Sequence, residues 1–100
     1  MGAREAAKKV SRIYGESITT EVHGGSPVWF DWRGDGYVVL GVQEHWVISR
    51  EWWQRSSGPS LEPELEFWRV RASPDGEALA VYELRHHVAT GTWLLVRVWD

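Results

Sequence analysis

Hydrophobic and polar residues alternate with a period of two along much of the chain, and turn-forming residues separate the alternating segments. Residues 27–33 show this most clearly, with Val28, Phe30 and Trp32 at every second position. Because successive side chains of a strand point to opposite faces, these three share a face that we expect to point into the core. A Gly-Gly pair at residues 24–25 precedes this segment and is typical of a hairpin turn.

The whole pattern predicts a mainly β domain of about six strands in sequential antiparallel order, with no room for crossover helices. A small SH3-like antiparallel barrel fits this order, because closure removes exposed sheet edges. A strongly curved sheet packed by a short helix is the alternative. The predicted strands are residues 17–23, 27–33, 37–42 with 46–48 continuing it or starting the next, 67–72, 77–85 and 92–99.

Two of these strands carry more specific predictions. Residues 37–42 are nearly continuously apolar, which is typical of a central strand buried on both faces. Gly41 within that run indicates a bulge or a sharp bend. In the last strand, simple alternation places Val96 and Val98 on one face and Leu95 on the other.

The chain ends and one turn-rich stretch fall outside the alternating pattern. Residues 1–12 are interpreted as a basic tail or a short helix, and residues 13–100 as a single β domain. Ser49 as a cap, followed by Glu51, predicts a short helical turn at residues 50–55. The stretch 56–66 contains two prolines and three glutamates, and we interpret it as an exposed acidic loop.

Composition indicates one small globular domain. The chain has 100 residues, of which 43% are hydrophobic and 25% charged, and it has no cysteine. It therefore holds one core, without disulfides or thiolate metal sites. Residues 1–10 lack the apolar segment of a signal peptide, and no apolar run approaches the roughly 20 residues that span a bilayer. We expect a cytoplasmic protein with no membrane partner.

Tryptophan is unusually frequent, with eight residues in a chain of 100. Each indole can bury roughly 200 Å², and the core of so small a domain does not readily hide all eight. We therefore expect some of them to lie half-exposed, with the indole N–H reaching water or a partner. The eight are Trp29, Trp32, Trp46, Trp52, Trp53, Trp68, Trp93 and Trp99.

The net charge of −3 is unevenly distributed, because residues 1–13 carry +3 and residues 14–100 carry −6. Non-specific binding to duplex DNA depends on a basic face that releases counterions. The acidic charge of residues 14–100 disfavours that kind of binding, although a local basic stripe on the surface remains compatible with it. Nine of the eleven cations are arginine, which favours bidentate and stacked contacts.

No set of residues has the spacing of a known catalytic or metal site. The four histidines are interpreted as solvated loop side chains, because no nearby carboxylate spacing resembles a metal site. Neither a Gly-x-Ser-x-Gly elbow nor a phosphate-binding glycine loop occurs. We expect no catalytic residues, no metal and no cofactor; an enzyme of unfamiliar type is the remote alternative. The histidines are His23, His45, His86 and His87, and the clustered glutamates are Glu62, Glu64 and Glu66.

Two clusters of aromatic residues and arginine supply the candidate binding residues. One cluster ends at Arg33, and the other places Trp52 and Trp53 between Arg50 and Arg55. Tryptophan and arginine dominate the hot spots of protein interfaces, so a protein partner is the favoured ligand. The alternative is a stacking platform for single-stranded nucleic acid, aided by the basic N-terminal segment. A purely structural cap on the core is a third interpretation.

Seven segments of the chain carry a family resemblance. They are Ile13-Tyr14-Gly15-Glu16, Pro27-Val28-Trp29-Phe30-Asp31-Trp32-Arg33-Gly34, Tyr37-Val38-Val39, Trp46, Glu51-Trp52-Trp53, Phe67-Trp68-Arg69-Val70 and Trp93-Leu94-Leu95-Val96-Arg97-Val98-Trp99-Asp100. Together they resemble a family of small, uncharacterised, Trp-rich bacterial domains over most of residues 13–100. The domain also resembles the C-terminal tail of ImuB-type proteins, the polymerase-like accessory subunits of mutagenic translesion synthesis.

The resemblance implies a cellular context rather than a chemistry. ImuB-type proteins are hubs that recruit an error-prone polymerase, a sliding clamp and a RecA-like accessory protein, so a tail domain is expected to serve protein–protein contact. It implies neither catalytic residues nor a cofactor. The favoured function is therefore a non-enzymatic adaptor linked to DNA damage tolerance, with single-stranded nucleic-acid binding as the alternative.

Overall fold

The structure, a computed structural model, describes residues 11–48, 64–74 and 79–99. These residues form six strands and no helix, which confirms the mainly β prediction. Residues 1–10 and the predicted helical turn at 50–55 lie outside the described residues. The strands are β1 (Ser11–His23), β2 (Ser26–Trp32), β3 (Asp35–Ile48), β4 (Leu65–Ser73), β5 (Ala80–His87) and β6 (Thr92–Trp99).

The strands close into one six-stranded barrel in sequential order, with every neighbouring pair antiparallel. β1 completes the closure: its residues up to Ile18 pair with β6, and those from Thr19 onward pair with β2. Gly24 and Gly25 have φ angles of 59° and 81°, the left-handed conformation that a two-residue hairpin turn requires. The described strands therefore adopt the closed barrel rather than the open curved sheet.

Aromatic rings fill much of the barrel interior. Phe30 stacks on Tyr37 with ring centroids 4.9 Å apart, and Tyr82 meets both rings edge-on. Phe30 and Trp32 are buried, so their predicted inward orientation is confirmed. Val28 is only partly buried: it is the extra residue at a register shift between β1 and β2, and the neighbouring Pro27 is fully buried instead. The buried hydrophobic residues are Phe30, Trp32, Tyr37, Trp68, Val70, Ala72, Tyr82, Leu84, Trp93, Leu95 and Val98.

Only one face of β3 is buried in the barrel interior. Val38 and Leu40 are 46% and 52% exposed, whereas Tyr37 is 8% exposed. The prediction that this strand is buried on both faces is wrong, because a closed barrel has a single inner face and no second layer covers the outside in the described residues. The bulge predicted at Gly41 is confirmed by a shift in register between Val39 and Gly41.

A bulge in β6 changes which of its side chains reach the core. The pairing of β5 with β6 shifts between Glu83 and Leu84, which makes Val96 the extra residue of β6. Leu95 and Val98 are therefore both buried in the interior. The prediction that Leu95 faces away from Val98 is wrong, because the extra residue moves the alternation by one position.

Several residues assigned to loops belong to strands. Glu66 lies in β4 rather than in the acidic loop, and His45 lies in β3. His86 and His87 are the last two residues of β5. The interpretation of the histidines as loop side chains is wrong, because cross-strand pairing extends the ladder past the point where hydrophobic alternation is visible.

A substitution at Leu84 measures how much packing in the barrel interior contributes to stability. It is completely buried, so Leu84→Ala removes core contacts and leaves a cavity, and we expect the free energy of unfolding to fall by about 2–5 kcal/mol. The measurement is urea denaturation followed by tryptophan fluorescence. Leu40→Ala makes the same chemical change on the outer face and should cost less than about 1 kcal/mol. Equal losses for the two variants would contradict the assignment of inner and outer faces.

Candidate functional site

A row of alternating charges crosses the outer faces of β3, β4, β5 and β6. Glu44 of β3 is the register partner of Arg69 in β4, and Arg69 is the register partner of Glu83 in β5. Glu83 in turn is paired with Arg97 in β6. Directly opposed residues of antiparallel strands lie on one face about 5 Å apart, so each charge in the row has a neighbour of opposite sign.

Arg69 is the centre of this row and contacts two carboxylates. Its Nη1 lies 2.9 Å from Oε1 of Glu44, and its Nη2 lies 3.2 Å from Oε1 of Glu83. The side chain of Glu44 is 54% exposed, whereas that of Glu83 is 14% exposed. The contact with Glu44 is a surface salt bridge, a class worth about 0.2–1 kcal/mol. Glu83 is the sheltered partner.

Tryptophan rings flank the guanidinium groups on the same face. The guanidinium carbon of Arg69 lies 4.7 Å from the ring centroid of Trp99 and 5.3 Å from that of Trp46. Arg97 lies 5.4 Å from the Trp99 ring, and Trp46 stacks on Phe67 at 5.2 Å with the planes 3° apart. These separations lie within cation–π and stacking range, so the rings hold the arginines in place and are themselves partly covered.

Two further arginines, Arg71 and Arg85, extend the surface. Arg71 lies across Gly41, where an added Cβ would stand only 2.5 Å from its guanidinium nitrogen. Among the described residues, the Nε of Arg85 has no hydrogen-bond partner and is buried. In the described part of the chain, neither of these arginines nor Arg97 forms an ion pair.

Together these residues form what we call the arginine–tryptophan face. Its four arginines and two glutamates give a formal charge of +2, whereas the whole chain carries −3. An open depression of about 540 Å³ borders the face beside Glu44, His45, Trp46 and Arg69. The face comprises Glu44, Trp46, Phe67, Arg69, Arg71, Glu83, Arg85, Arg97 and Trp99.

A second polar group, which we call the histidine–glutamate cluster, consists of His45, Glu66 and His86 on the inner side of the barrel. Oε1 of Glu66 lies 2.9 Å from Nδ1 of His86, and Oε2 lies 3.4 Å from Nε2 of His45. His45 stacks on Trp68 at a centroid distance of 3.6 Å, and His86 stacks on Trp93 at 4.2 Å. Each imidazole is thus held between a carboxylate and an indole.

The histidines keep Glu66 ionised to lower pH than an ordinary glutamate. Burial raises the pKa of Glu66, but hydrogen bonds with His86 and His45 outweigh burial and bring the pKa below the ordinary 4.5. Among residues 11–48, 64–74 and 79–99, no three His, Asp or Glu side chains converge as metal ligands. The contacts of Glu66 with His45 and His86 link β4 to β3 and to β5.

Arg33, one of the five predicted binding residues, is held by contacts at the β2–β3 turn. Its Nε and Nη2 donate to the Glu16 carboxylate at 2.9 and 2.7 Å, and Nε1 of Trp32 donates to the same carboxylate at 2.8 Å. Hydrogen bonds from Arg33 and Trp32 lower the pKa of Glu16, and the bond with Glu16 raises the pKa of Arg33. Arg33 thus ties the turn to β1, and its contact with a partner stays a prediction.

The other four predicted binding residues lie outside the described residues, and their roles stay predictions. They are Arg50, Trp52, Trp53 and Arg55. The arginine–tryptophan face escaped sequence analysis because its members come from four strands and only the register of the sheet brings them together. A signal was present in Arg69 and Arg71, which stand at alternate positions of one predicted strand.

Comparison with known proteins places the chain in a family. All of residues 1–100 match the family described as Domain of unknown function (DUF6504), and the chain belongs to that family. This agrees with the resemblance to an uncharacterised small domain. Searches of curated proteins and of solved structures found no match. In the part of the chain that the structure describes, no helix is long and apolar enough to cross a membrane.

The histidine–glutamate cluster makes stability depend on pH. The folded-state pKa of Glu66 is lowered, so its contribution is present above the unfolded-state pKa and is lost as the pH falls through the folded-state pKa. Between about pH 5 and about pH 3, we expect the free energy of unfolding of the wild type to fall more steeply than that of Glu66→Gln. Urea denaturation measures both slopes.

Glu64→Gln is the matched control, because Glu64 is an exposed glutamate just before β4. Its stability should fall with pH as the wild type does. Parallel slopes for wild type and Glu66→Gln would show that the two histidines do not favour the ionised carboxylate.

Proposed function

We propose that this member of the DUF6504 family is a non-enzymatic adaptor domain that binds a protein partner through its arginine–tryptophan face, in the context of DNA damage tolerance. One observation carries the proposal. Arg71, Arg85 and Arg97 have no ion-pair partner in the described part of the chain, and they share a face with the half-buried Trp46 and Trp99.

The chemistry of this face supports a protein ligand. Arginine and tryptophan are enriched among the residues that dominate interface energetics, and here they are held on strands rather than on loops. The tryptophan rings are already partly covered, Trp46 by Phe67 and Arg69, and Trp99 by Arg69 and Arg97. Covered rings offer less area for stacked bases, whereas outward guanidinium groups still bind carboxylates.

The cellular context rests on the resemblance to the tail of ImuB-type proteins. That resemblance supports partners drawn from a sliding clamp, a RecA-like accessory protein and an error-prone polymerase. The non-enzymatic part of the proposal is supported by the sequence, in which no set of residues has the spacing of a known catalytic site.

Single-stranded nucleic acid is the second candidate ligand. Four arginines beside Trp46 and Trp99 on one face also resemble the combination of cationic and aromatic residues that binds unpaired strands. The basic residues of the segment 1–12 would add to this attraction. The two ligands predict different responses to the same variants.

The variant Arg85→Gln/Arg97→Gln tests the adaptor proposal. It removes two charges that have no carboxylate partner in the part of the chain that the structure describes, and it leaves the Arg69 ion pairs in place, so the barrel should stay folded. Binding to the purified clamp, RecA-like protein or polymerase, measured by biolayer interferometry, should weaken about tenfold or more. Arg12→Gln removes one exposed arginine outside the face and is the matched control. Trp53→Ala/Arg55→Ala tests the binding residues predicted from sequence.

The outcomes separate the alternatives. Unchanged binding by Arg85→Gln/Arg97→Gln would exclude the arginine–tryptophan face, and loss of binding by Trp53→Ala/Arg55→Ala alone would assign the site to the 50–55 segment. Failure of all three proteins to bind the wild type would remove the DNA damage tolerance context. Quenching of tryptophan fluorescence by an oligothymidylate, lost with added salt, would support nucleic-acid binding instead.

A further inference from the structure

The two carboxylates bound to Arg69 differ in how readily another anion can replace them. Glu83 is 14% exposed and lies between β4 and β6, so it is enclosed by neighbouring strands. Glu44 is 54% exposed and lies on β3, whose described pairing with β2 ends at Val38. In the described residues, no strand therefore borders Glu44 on its far side. Glu44 is the accessible partner of Arg69.

Displacing the Glu44 carboxylate from Arg69 by another anion costs little free energy. An exposed salt bridge contributes little to stability, because water solvates both charges when they separate. The open depression beside Glu44, His45, Trp46 and Arg69 has a volume of about 540 Å³, which gives an incoming side chain access to the guanidinium. The bond of Arg69 with Glu83 is undisturbed by this exchange, so the arginine keeps its position.

The surroundings of Arg69 favour a ligand with more than one carboxylate. Arg71 lies two residues further along β4, and the rise of a strand places such residues about 6.7 Å apart on the same face. Carboxylates at alternate positions of an extended peptide have the same spacing. Arg85 and Arg97 on the neighbouring strands add positive charge, so the face complements an acidic segment and repels a basic one.

We propose that the partner binds through an extended acidic segment, that one of its carboxylates takes the position of Glu44 on Arg69, and that a second meets Arg71. Glu44 thus acts as an internal stand-in for the ligand and weakens binding by competing for Arg69. This inference rests on the proposed adaptor function and names the chemistry of its ligand.

Glu44→Gln tests the stand-in role. The probe is a fluorescein-labelled peptide of alternating glutamate and serine, and its binding is measured by fluorescence anisotropy at low and moderate salt. Removing the competing carboxylate should tighten binding about two- to fivefold, the equivalent of an exposed ion pair. Glu21→Gln removes the same charge from an exposed position on β1 and should change the affinity less. The peptide with glutamine in place of glutamate should not bind.

Arg71→Gln tests the second contact. It should weaken binding of the acidic peptide and remove the preference for alternating over consecutive glutamates. Its effect on folding is checked by thermal unfolding, since the variant vacates the space beside Gly41. The stand-in role would be overturned if Glu44→Gln bound the acidic peptide no more tightly than the wild type and Glu21→Gln do. A similar gain with an oligothymidylate and none with the peptide would assign the site to nucleic-acid phosphates.

The failure of this inference differs from the failure of the proposed function. If Arg85→Gln/Arg97→Gln loses binding of the purified partner while Glu44→Gln changes nothing, the adaptor stands and the acidic-segment model falls. If Glu44→Gln binds the acidic peptide more tightly while Arg85→Gln/Arg97→Gln leaves partner binding unchanged, the face binds anions but is not the adaptor surface.

Discussion

Closure of six antiparallel strands leaves the protein a single inner face, and the remaining features depend on that constraint. Alternation sends every second side chain inward, and among the described residues eleven hydrophobic side chains are buried there. Three of the six described tryptophans are inside. The other three have no second layer to enter, so they lie half-buried on the outer surface. These are Trp29, Trp46 and Trp99.

Register then determines which side chains of the outer surface meet. Bulges at Gly41 and Val96 adjust the alternation along β3 and β6, and the ladder brings Glu44, Arg69, Glu83 and Arg97 into one row. Each arginine in the row has a carboxylate or an indole beside it, which offsets the cost of gathering like charges on a small domain. A positive, aromatic face on an acidic protein results from pairing between strands that are distant in sequence.

The inner and outer polar groups have different consequences for function. In the histidine–glutamate cluster, both carboxylate oxygens of Glu66 contact imidazole nitrogens, and these contacts link three strands on the inner side of the barrel. The arginine–tryptophan face directs guanidinium groups outward that have no ion-pair partner among the described residues, and it includes one exposed carboxylate, that of Glu44. Fold alone does not specify activity, and the family description names no function. The adaptor proposal therefore rests on this difference in chemistry between the two polar groups.

The sequence by itself determined the strand count, the antiparallel order, the Gly24–Gly25 turn and the inward orientation of Phe30, because alternation and turn geometry are local properties of the chain. It indicated the bulge at Gly41 because glycine marks it, and it missed others, among them those at Val96 and between Val42 and Glu44, because nothing local marks them. The binding face and the Glu66 cluster required the tertiary structure. Both depend on cross-strand register, and a slip of one residue would move every side chain of a strand to the opposite face.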